Sequence, residues 1–236
     1  MIGFEKKIQV DAHDVDFNGV CRASSLLRYI QSAADTQLTE SGMSYDRLKE
    51  QNRAFIISKI KLEFSEAAYA YDELSAETFP CFSRGYSFIR CYALYRGDKM
   101  IGRAISIWAL IDTEDRKLIK VNDFDLGLTV YEPWDMALTY SKLPDGMERV
   151  GEYTVCYSDI DRNMHINNTK YADIFANFLP LAGKRIDEIT ISYVNEAKYR
   201  DTLDVYMTNI GDTYYIRTVR ADGKVNAEAE IHITDI

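Results

Sequence analysis

The residues of this chain best suited to chemistry crowd into one short run, Tyr157-Ser158-Asp159-Ile160-Asp161-Arg162-Asn163-Met164-His165-Ile166-Asn167-Asn168-Thr169-Lys170-Tyr171. A carboxylate and a nearby imidazole, Asp161 and His165, can share the duties of base or nucleophile and orienting partner. The run stands where strand-like sequence gives way to an amphipathic helix. The first turn of a helix presents unpaired N–H groups and a positive dipole end, which suits the oxyanion formed when a carbonyl is attacked. A plainer reading stands beside this one: Asp and Asn are also the ordinary residues of turns and caps, and a lone His is usually structural. Spacing by itself leaves both open.

The same turn occurs earlier, as Asp14-Val15-Asp16-Phe17-Asn18-Gly19, followed by Val20 where the later copy has His165. Asp14, Asp16, Asn18 and Gly19 also fit the opening of a calcium loop. That pattern needs a bidentate Glu at its last position, where the two copies have Ser25 and Lys170, so calcium is set aside. A second echo joins Glu66-Ala67, which ends KIKLEFSEA, to Glu196-Ala197, which ends ITISYVNEA. Two related halves are the working model.

Each turn needs a helix and a sheet to hold it. Leu26, Leu27, Ile30, Ala33, Ala34 and Leu38 form one helical stripe, with Ser24 or Ser25 as cap and Gly42 as stop. Tyr171, Ile174, Phe175, Phe178 and Leu179 form the second, opened by Asn167 or Asn168 and closed by Pro180. Strands are expected over 54–64, 73–79, 86–95 and 101–111, and again over 189–194, 203–209, 214–220 and 225–233. Each half is thus predicted as one long helix against an antiparallel sheet, an α+β design. The expected boundaries are 1–130 and 148–236, with a linker over 131–147 that contains Pro133, Pro144 and Gly146. By strand alternation Glu196 shares a face with Thr190, Ser192 and Val194, unless a bulge changes the parity.

The formal charge of −9 argues against nucleic acid or an anionic membrane as partner. No run reaches the length of a membrane span and the opening is no signal peptide, so a cytoplasmic location is expected. Cys21, Cys81, Cys91 and Cys156 lack pairing or metal-ligand spacing and are expected as buried reduced thiols. With only three His, zinc is not expected.

The DxNxHxNNxKY pattern from Asp161 to Tyr171, with YVNEA at Tyr193 to Ala197, resembles the second half of the acyl-acyl carrier protein (acyl-ACP) thioesterases of plastids and bacteria. VDFNG at Val15 to Gly19, the helix after it and the strand IISKIKLEF resemble the first half of that family. The resemblance implies a tandem hotdog, two antiparallel sheets each wrapping a central helix and joined as a pseudo-dimer with one active site. It implies Asp161, Asn163, His165 and Glu196 as the catalytic set, with Asp161 attacking the thioester carbonyl or activating water, Asn163 and His165 orienting it, and Glu196 assisting the water. Plant members often carry Cys after this Glu; Ala197 stands here, which removes a thiol nucleophile at that place. The first half is implied to shape the acyl pocket, with Asp16 as a minor alternative for catalysis, as in single-hotdog acyl-coenzyme A thioesterases.

The implied partner is acylated acyl carrier protein, whose phosphopantetheine thioester makes any cofactor of the enzyme unnecessary. Acyl-coenzyme A as substrate, or an acyl-binding module without catalysis, are the alternatives. Carriers are usually acidic, so a local basic patch is needed on this acidic chain, and Lys170, Lys184, Arg185, Lys198 and Arg200 are its candidates. The oligomeric state, a homodimer included, is left open by the sequence.

Overall fold

The computed structural model describes residues 3–138 and 143–236. All strands join one antiparallel sheet that runs through both halves. In the first half, strand β1 (Phe4–Gln9) leads through a DxN turn into helix α1 (Ala23–Glu40), and a short helix α2 (Tyr45–Glu50) follows. Strands β2 (Arg53–Phe64), β3 (Glu73–Pro80), β4 (Phe88–Arg96), β5 (Lys99–Asp112) and β6 (Lys117–Ile119) complete it. The second half repeats the plan with β7 (Glu148–Thr154), helix α3 (Lys170–Ala176), β8 (Lys184–Tyr193), β9 (Thr202–Ile210), β10 (Thr213–Arg220) and β11 (Val225–Asp235). The spatial order is β1-β3-β4-β5-β2-β8-β11-β10-β9-β7, with β6 on β5. The halves meet where β2 pairs with β8, Ile60 opposite Ile191 and Leu62 opposite Ile189. This is the tandem hotdog arrangement: two repeats of a helix and an antiparallel sheet, fused edge to edge.

The core lies on the helix side of the sheet. Leu26, Leu27, Ile30, Ala33 and Ala34 of α1 are buried against Leu74, Ala76, Tyr92 and Leu94, as the stripe predicts. The helix ends on Gly42 (φ 81), with Met43 N–H donating to Leu38 O (2.8 Å) and Gly42 N–H to Thr39 O (3.1 Å). Only a left-handed residue closes a helix in this way, and glycine adopts that conformation without a Cβ penalty. Ser24 and Ser25 do not cap the helix, because Arg22 occupies the cap position; both hydroxyls lie in the first turn and donate to Asp173 and Asp14.

The second helix is shorter than its apolar stripe suggests. Only seven residues are α-helical. Phe178 N–H then donates to Phe175 O (3.0 Å) and Leu179 N–H to Ala176 O (3.1 Å), the tight i to i+3 pattern, and Pro180 stops the run. Proline has no N–H to continue the ladder and bars its predecessor from helical geometry. Phe178 and Leu179 still pack on the core from this tightened turn.

A second apolar cluster lies on the other face of the sheet, as strand parity requires. Phe79, Cys91 and Ile105 point away from α1, and Met136, Tyr131, Trp134 and Leu138 cover them. Tyr131 pairs with Cys81 as a parallel bridge, and Trp134 Nε1 donates to Tyr92 O (3.2 Å). Of the segment 131–147 expected as a linker, the part before residue 139 thus packs on the first half, while residues 139–142 lie outside the described residues. Cys21, Cys81 and Cys91 are buried free thiols, but Cys156 is exposed, because it sits at the start of a surface turn with its Sγ against Thr154 O. Among the described residues no helix is long and apolar enough to cross a membrane.

Candidate active site

The two DxN turns share their backbone bond for bond. Asp16 N–H donates to Val20 O (2.8 Å) and Asp161 N–H to His165 O (2.9 Å). The Asp16 and Asp161 carboxylates each accept the N–H two residues on, from Asn18 and Asn163, at 2.8 Å in both cases. Short bridges, Val15 with Cys21 and Ile160 with Ile166, close each loop. Gly19 (φ 79) and Met164 (φ 66) hold the same left-handed position. The Asp that begins each motif is structural. Asp14 is buried and accepts from Tyr29, Arg28 and Ser25; Asp159 is buried and accepts from Tyr153 Oη (2.8 Å) and Cys156 N–H (2.7 Å). Burial pushes the Asp14 carboxyl up, but the Tyr29 hydroxyl, Arg28 and Ser25 together hold it below its ordinary value.

The side chains above that shared frame diverge. In the second half His165 Nε2 lies 2.9 Å from Glu196 Oε2, with the His side chain 28% and the Glu side chain 61% exposed. Glu196 reaches it because strand parity breaks: Val194 and Asn195 both donate their N–H to Asn226 O, at 2.9 and 3.0 Å, so two residues oppose one. That bulge, pinned by Asn195 Nδ2 on Val225 O (2.7 Å), takes Glu196 out of the Thr190, Ser192, Val194 series. Arg220 then fixes its carbonyl (2.9 Å). Ala197 is fully buried and its carbonyl accepts from Ile166 N–H (3.1 Å).

Asp161 and Asn163 form the other pair, the Asn163 Nδ2 standing 3.4 Å from Asp161 Oδ2. Among the described residues no side-chain hydrogen bond joins this pair to His165 and Glu196; the turn backbone connects them. The four residues implied by the resemblance therefore form two hydrogen-bonded pairs, Asp161 with Asn163 within the turn and His165 of the turn with Glu196 from the segment after β8. A further residue joins from the first half, Tyr45 of α2, whose hydroxyl donates to Asn163 Oδ1 at 2.6 Å. No local sequence pattern flags it, because the contact spans 118 residues. The Arg162 guanidinium stacks 3.2 Å from the Tyr45 ring centroid.

The turn that leads into α3 uses its own N–H groups up to Lys170, the first residue of the helix. Thr169 N–H donates to Asn167 Oδ1 (3.0 Å) and Lys170 N–H to Asn167 O (2.9 Å), while Asn167 N–H serves Asp159 O (2.7 Å). Thr169, rather than Asn167 or Asn168, holds the cap position of α3, with no side-chain cap bond; Asn167 stands two residues ahead of it and takes up the Thr169 N–H and hydroxyl.

The first turn lacks an acid–base pair. Val20 replaces the imidazole and is buried. Glu66 is held by Lys99 and by Arg96 (3.3 Å), which lower its pKa, the Lys99 hydrogen bond foremost. A cleft of about 400 Å³ lies beside Asp16, lined by Arg22, Ser24, Asp173, Leu181 and Arg185 among others. A smaller cavity of about 80 Å³ sits between α1 and the first-half strands, walled by Leu38, Phe55, Phe88, Trp108 and Leu126 with Arg90 at its edge. Of the basic-patch candidates, Lys170 pairs with Asp173 and Lys184 with Asp212 and Asp235. Lys198 forms a backbone bridge with His165, and neither it nor Arg200 makes an ion pair among the described residues. Among those residues no group of three or more His, Cys, Asp or Glu could hold a metal ion.

Fold and site define a double hotdog chain that carries one turn with a complete polar set and one without. Its family follows from comparison with known proteins: the acyl-ACP thioesterase N-terminal domain matches residues 2–125 and the acyl-ACP thioesterase C-terminal domain matches residues 144–235, so the chain belongs to the acyl-ACP thioesterase family. It is 23% identical over 230 residues to a chloroplastic oleoyl-acyl carrier protein thioesterase of Coriandrum sativum, across 86% of this chain and 62% of that protein. It is similarly 21% identical to oleoyl-acyl carrier protein thioesterase 2 of Arabidopsis thaliana, across 87% and 63%. The chain thus spans less than two thirds of the length of these curated relatives. Its fold matches the crystal structure of an acyl-ACP thioesterase from Bacteroides thetaiotaomicron with a TM-score of 0.86 at 23% identity, covering 98% of this chain and 97% of that one. The 12:0-ACP thioesterase of Umbellularia californica gives a TM-score of 0.84 at 16% identity, covering 99% and 97%.

Proposed function

We propose that this chain hydrolyses the thioester of fatty acyl-acyl carrier protein, releasing free fatty acid and ending chain elongation, at one site built from Asp161, Asn163, His165 and Glu196. The observation that carries this reading is the pairing of His165 with Glu196, on the same turn as the Asp161–Asn163 pair, where the other turn has no imidazole. Asp161 acts on the thioester carbonyl, as nucleophile or by deprotonating water. The Asn163 amide, whose hydrogens meet nothing closer than Asp161, is a donor for the carbonyl oxygen as it gains charge. Glu196 orients the His165 ring, and His165 relays the proton lost by the water to the departing thiolate. A thiolate leaves readily, so the reaction calls for no metal or redox group. The cavity between α1 and its sheet is the acyl-binding part of the reading.

Lys198 and Arg200, beside His165, are the cations this reading assigns to carrier docking. Charge reversal at both should raise KM for carrier-linked substrate and spare a small thioester of the same acyl group. The reading itself is tested by incubation with one acyl group on carrier protein and on coenzyme A. Faster release of free acid from the carrier supports it, and no release from either thiol sinks it. Single turnover in H₂¹⁸O adds a test of route: label in the Asp161 carboxylate requires an acyl–aspartyl anhydride opened by water at the aspartyl carbon, whereas the general-base route puts the label in the free acid alone.

A further inference from the structure

We infer that Tyr45 is a positioning residue for this reaction: its hydroxyl holds the Asn163 carboxamide so that both amide hydrogens face Asp161 and the substrate carbonyl. The inference rests on the site proposed above. A carboxamide has an acceptor end and a donor end of nearly the same shape, and its partners decide which way it points. Here Tyr45 Oη donates to Asn163 Oδ1 at 2.6 Å, while Asn163 Nδ2 faces Asp161 Oδ2 at 3.4 Å. The reversed amide would set its oxygen against the Asp161 carboxylate.

Tyr45 is itself held. The Schellman bond from Met43 N–H to Leu38 O fixes the exit from α1, and the Ser44 side chain caps α2 by accepting Arg47 N–H (3.3 Å), so Tyr45 opens a helix of set direction. Arg162 stacks on its ring from the turn itself, with Asp46 Oδ1 3.8 Å from that guanidinium. The first half thereby braces the turn at Arg162 and at Asn163.

The other turn shows what the contact does. Asn18 also reaches the segment after the opposite helix, but there it meets backbone: Nδ2 donates to Leu181 O (2.7 Å) and Lys184 O (3.0 Å), and Oδ1 accepts Gly183 N–H (3.1 Å). Both ends of that amide are consumed. Tyr45 engages only the oxygen of Asn163; the nitrogen faces Asp161 Oδ2 at 3.4 Å with one hydrogen and keeps the other for the substrate.

Kinetics on acyl-carrier substrate, with melting temperatures, for wild type, Tyr45→Phe, Asn163→Ala and the double variant test the assignment. Tyr45→Phe keeps the ring and its Arg162 stack, so melting should stay within about 2 °C. Its kcat should fall roughly tenfold with KM unchanged, the cost of losing one hydrogen bond in the transition state. Asn163→Ala should fall further, and the double variant should be no slower than Asn163→Ala alone, because Tyr45 acts through Asn163. Wild-type kcat in Tyr45→Phe, a change confined to KM, or losses that multiply in the double variant would overturn the role of Tyr45 while leaving the site intact. Wild-type activity in Asn163→Ala would overturn the site and the brace together.

Discussion

In the first turn Asn18 commits its whole carboxamide to the backbone after α3, and Asp16 stands beside a buried Val20. In the second, Asn163 gives only its oxygen to Tyr45, and Asp161 shares its turn with the His165–Glu196 pair. The backbone beneath them is the same. A duplicated turn can therefore be divided by a few side chains: one copy staples the halves together, and the other is the one the proposed function assigns to a substrate. The DxN motif belongs to the fold, and the two copies differ in the side chains that surround it.

That division can be broken in order of expected effect. His165→Val, which makes the second turn resemble the first, should cost about 100-fold or more in kcat with little change in melting temperature. Adding Val20→His should restore nothing, since Glu66 remains held by Lys99 and Arg96. Recovery of activity in that double variant would mean that the first turn is competent.

The two asparagines should respond oppositely. Asn18→Ala should destabilise the fold by about 1 kcal/mol, because it removes the bonds to the part-buried Leu181 and Lys184 carbonyls and to the Gly183 N–H, and should leave kcat near wild type. Asn163→Ala, at an exposed position, should alter stability by less than about 0.5 kcal/mol and fall mainly in kcat. Denaturant melts beside initial rates read both, and the same pattern in the two variants would contradict the division.

Asp14 supplies a pH test of the frame. Its folded pKa lies below the unfolded one, so it contributes stability above the unfolded pKa of about 3.9, which is lost as pH falls through the lower folded value. Asp14→Asn should lower stability at pH 7 by about 1–3 kcal/mol and flatten that acid limb. A limb of unchanged steepness would assign it to other carboxylates. The smallest effect is expected at Met164, a non-glycine residue at φ 66: Met164→Gly should change stability by no more than about 1 kcal/mol, relief of the left-handed strain being offset by unfolded-chain entropy. A loss several times larger would show that the exposed Met164 side chain does more than occupy the turn.

Much of this frame is legible in the sequence because its signals are local. Asp14 and Asp159 recur with the same neighbours, Gly42 marks the end of α1, and alternating apolar residues bound β2 to β5 within a few positions. β1 and β7 escape notice because they are edge strands of half-exposed, charged residues such as Lys6, Lys7 and Arg149, whose alternation carries little hydrophobic contrast. The length of α3 is overestimated since Phe178 and Leu179 still pack, partly buried, on the core after the helix has tightened and ended. The orientation of Glu196 depends on a bulge made by the distant Asn226, and Tyr45 depends on a contact between halves. Neither has a local period to read. The family resemblance names the four residues, but only the assembled fold shows that they form two pairs and that a fifth side chain braces one of them.

The central claim, one active turn out of two, is tested most directly by comparing Asp161→Asn with Asp16→Asn in the same acyl-carrier hydrolysis assay. Loss of about 1,000-fold in the first, with the second within a few-fold of wild type, is the predicted result. Near-normal turnover by Asp161→Asn, or collapse of activity in a folded Asp16→Asn, would contradict it.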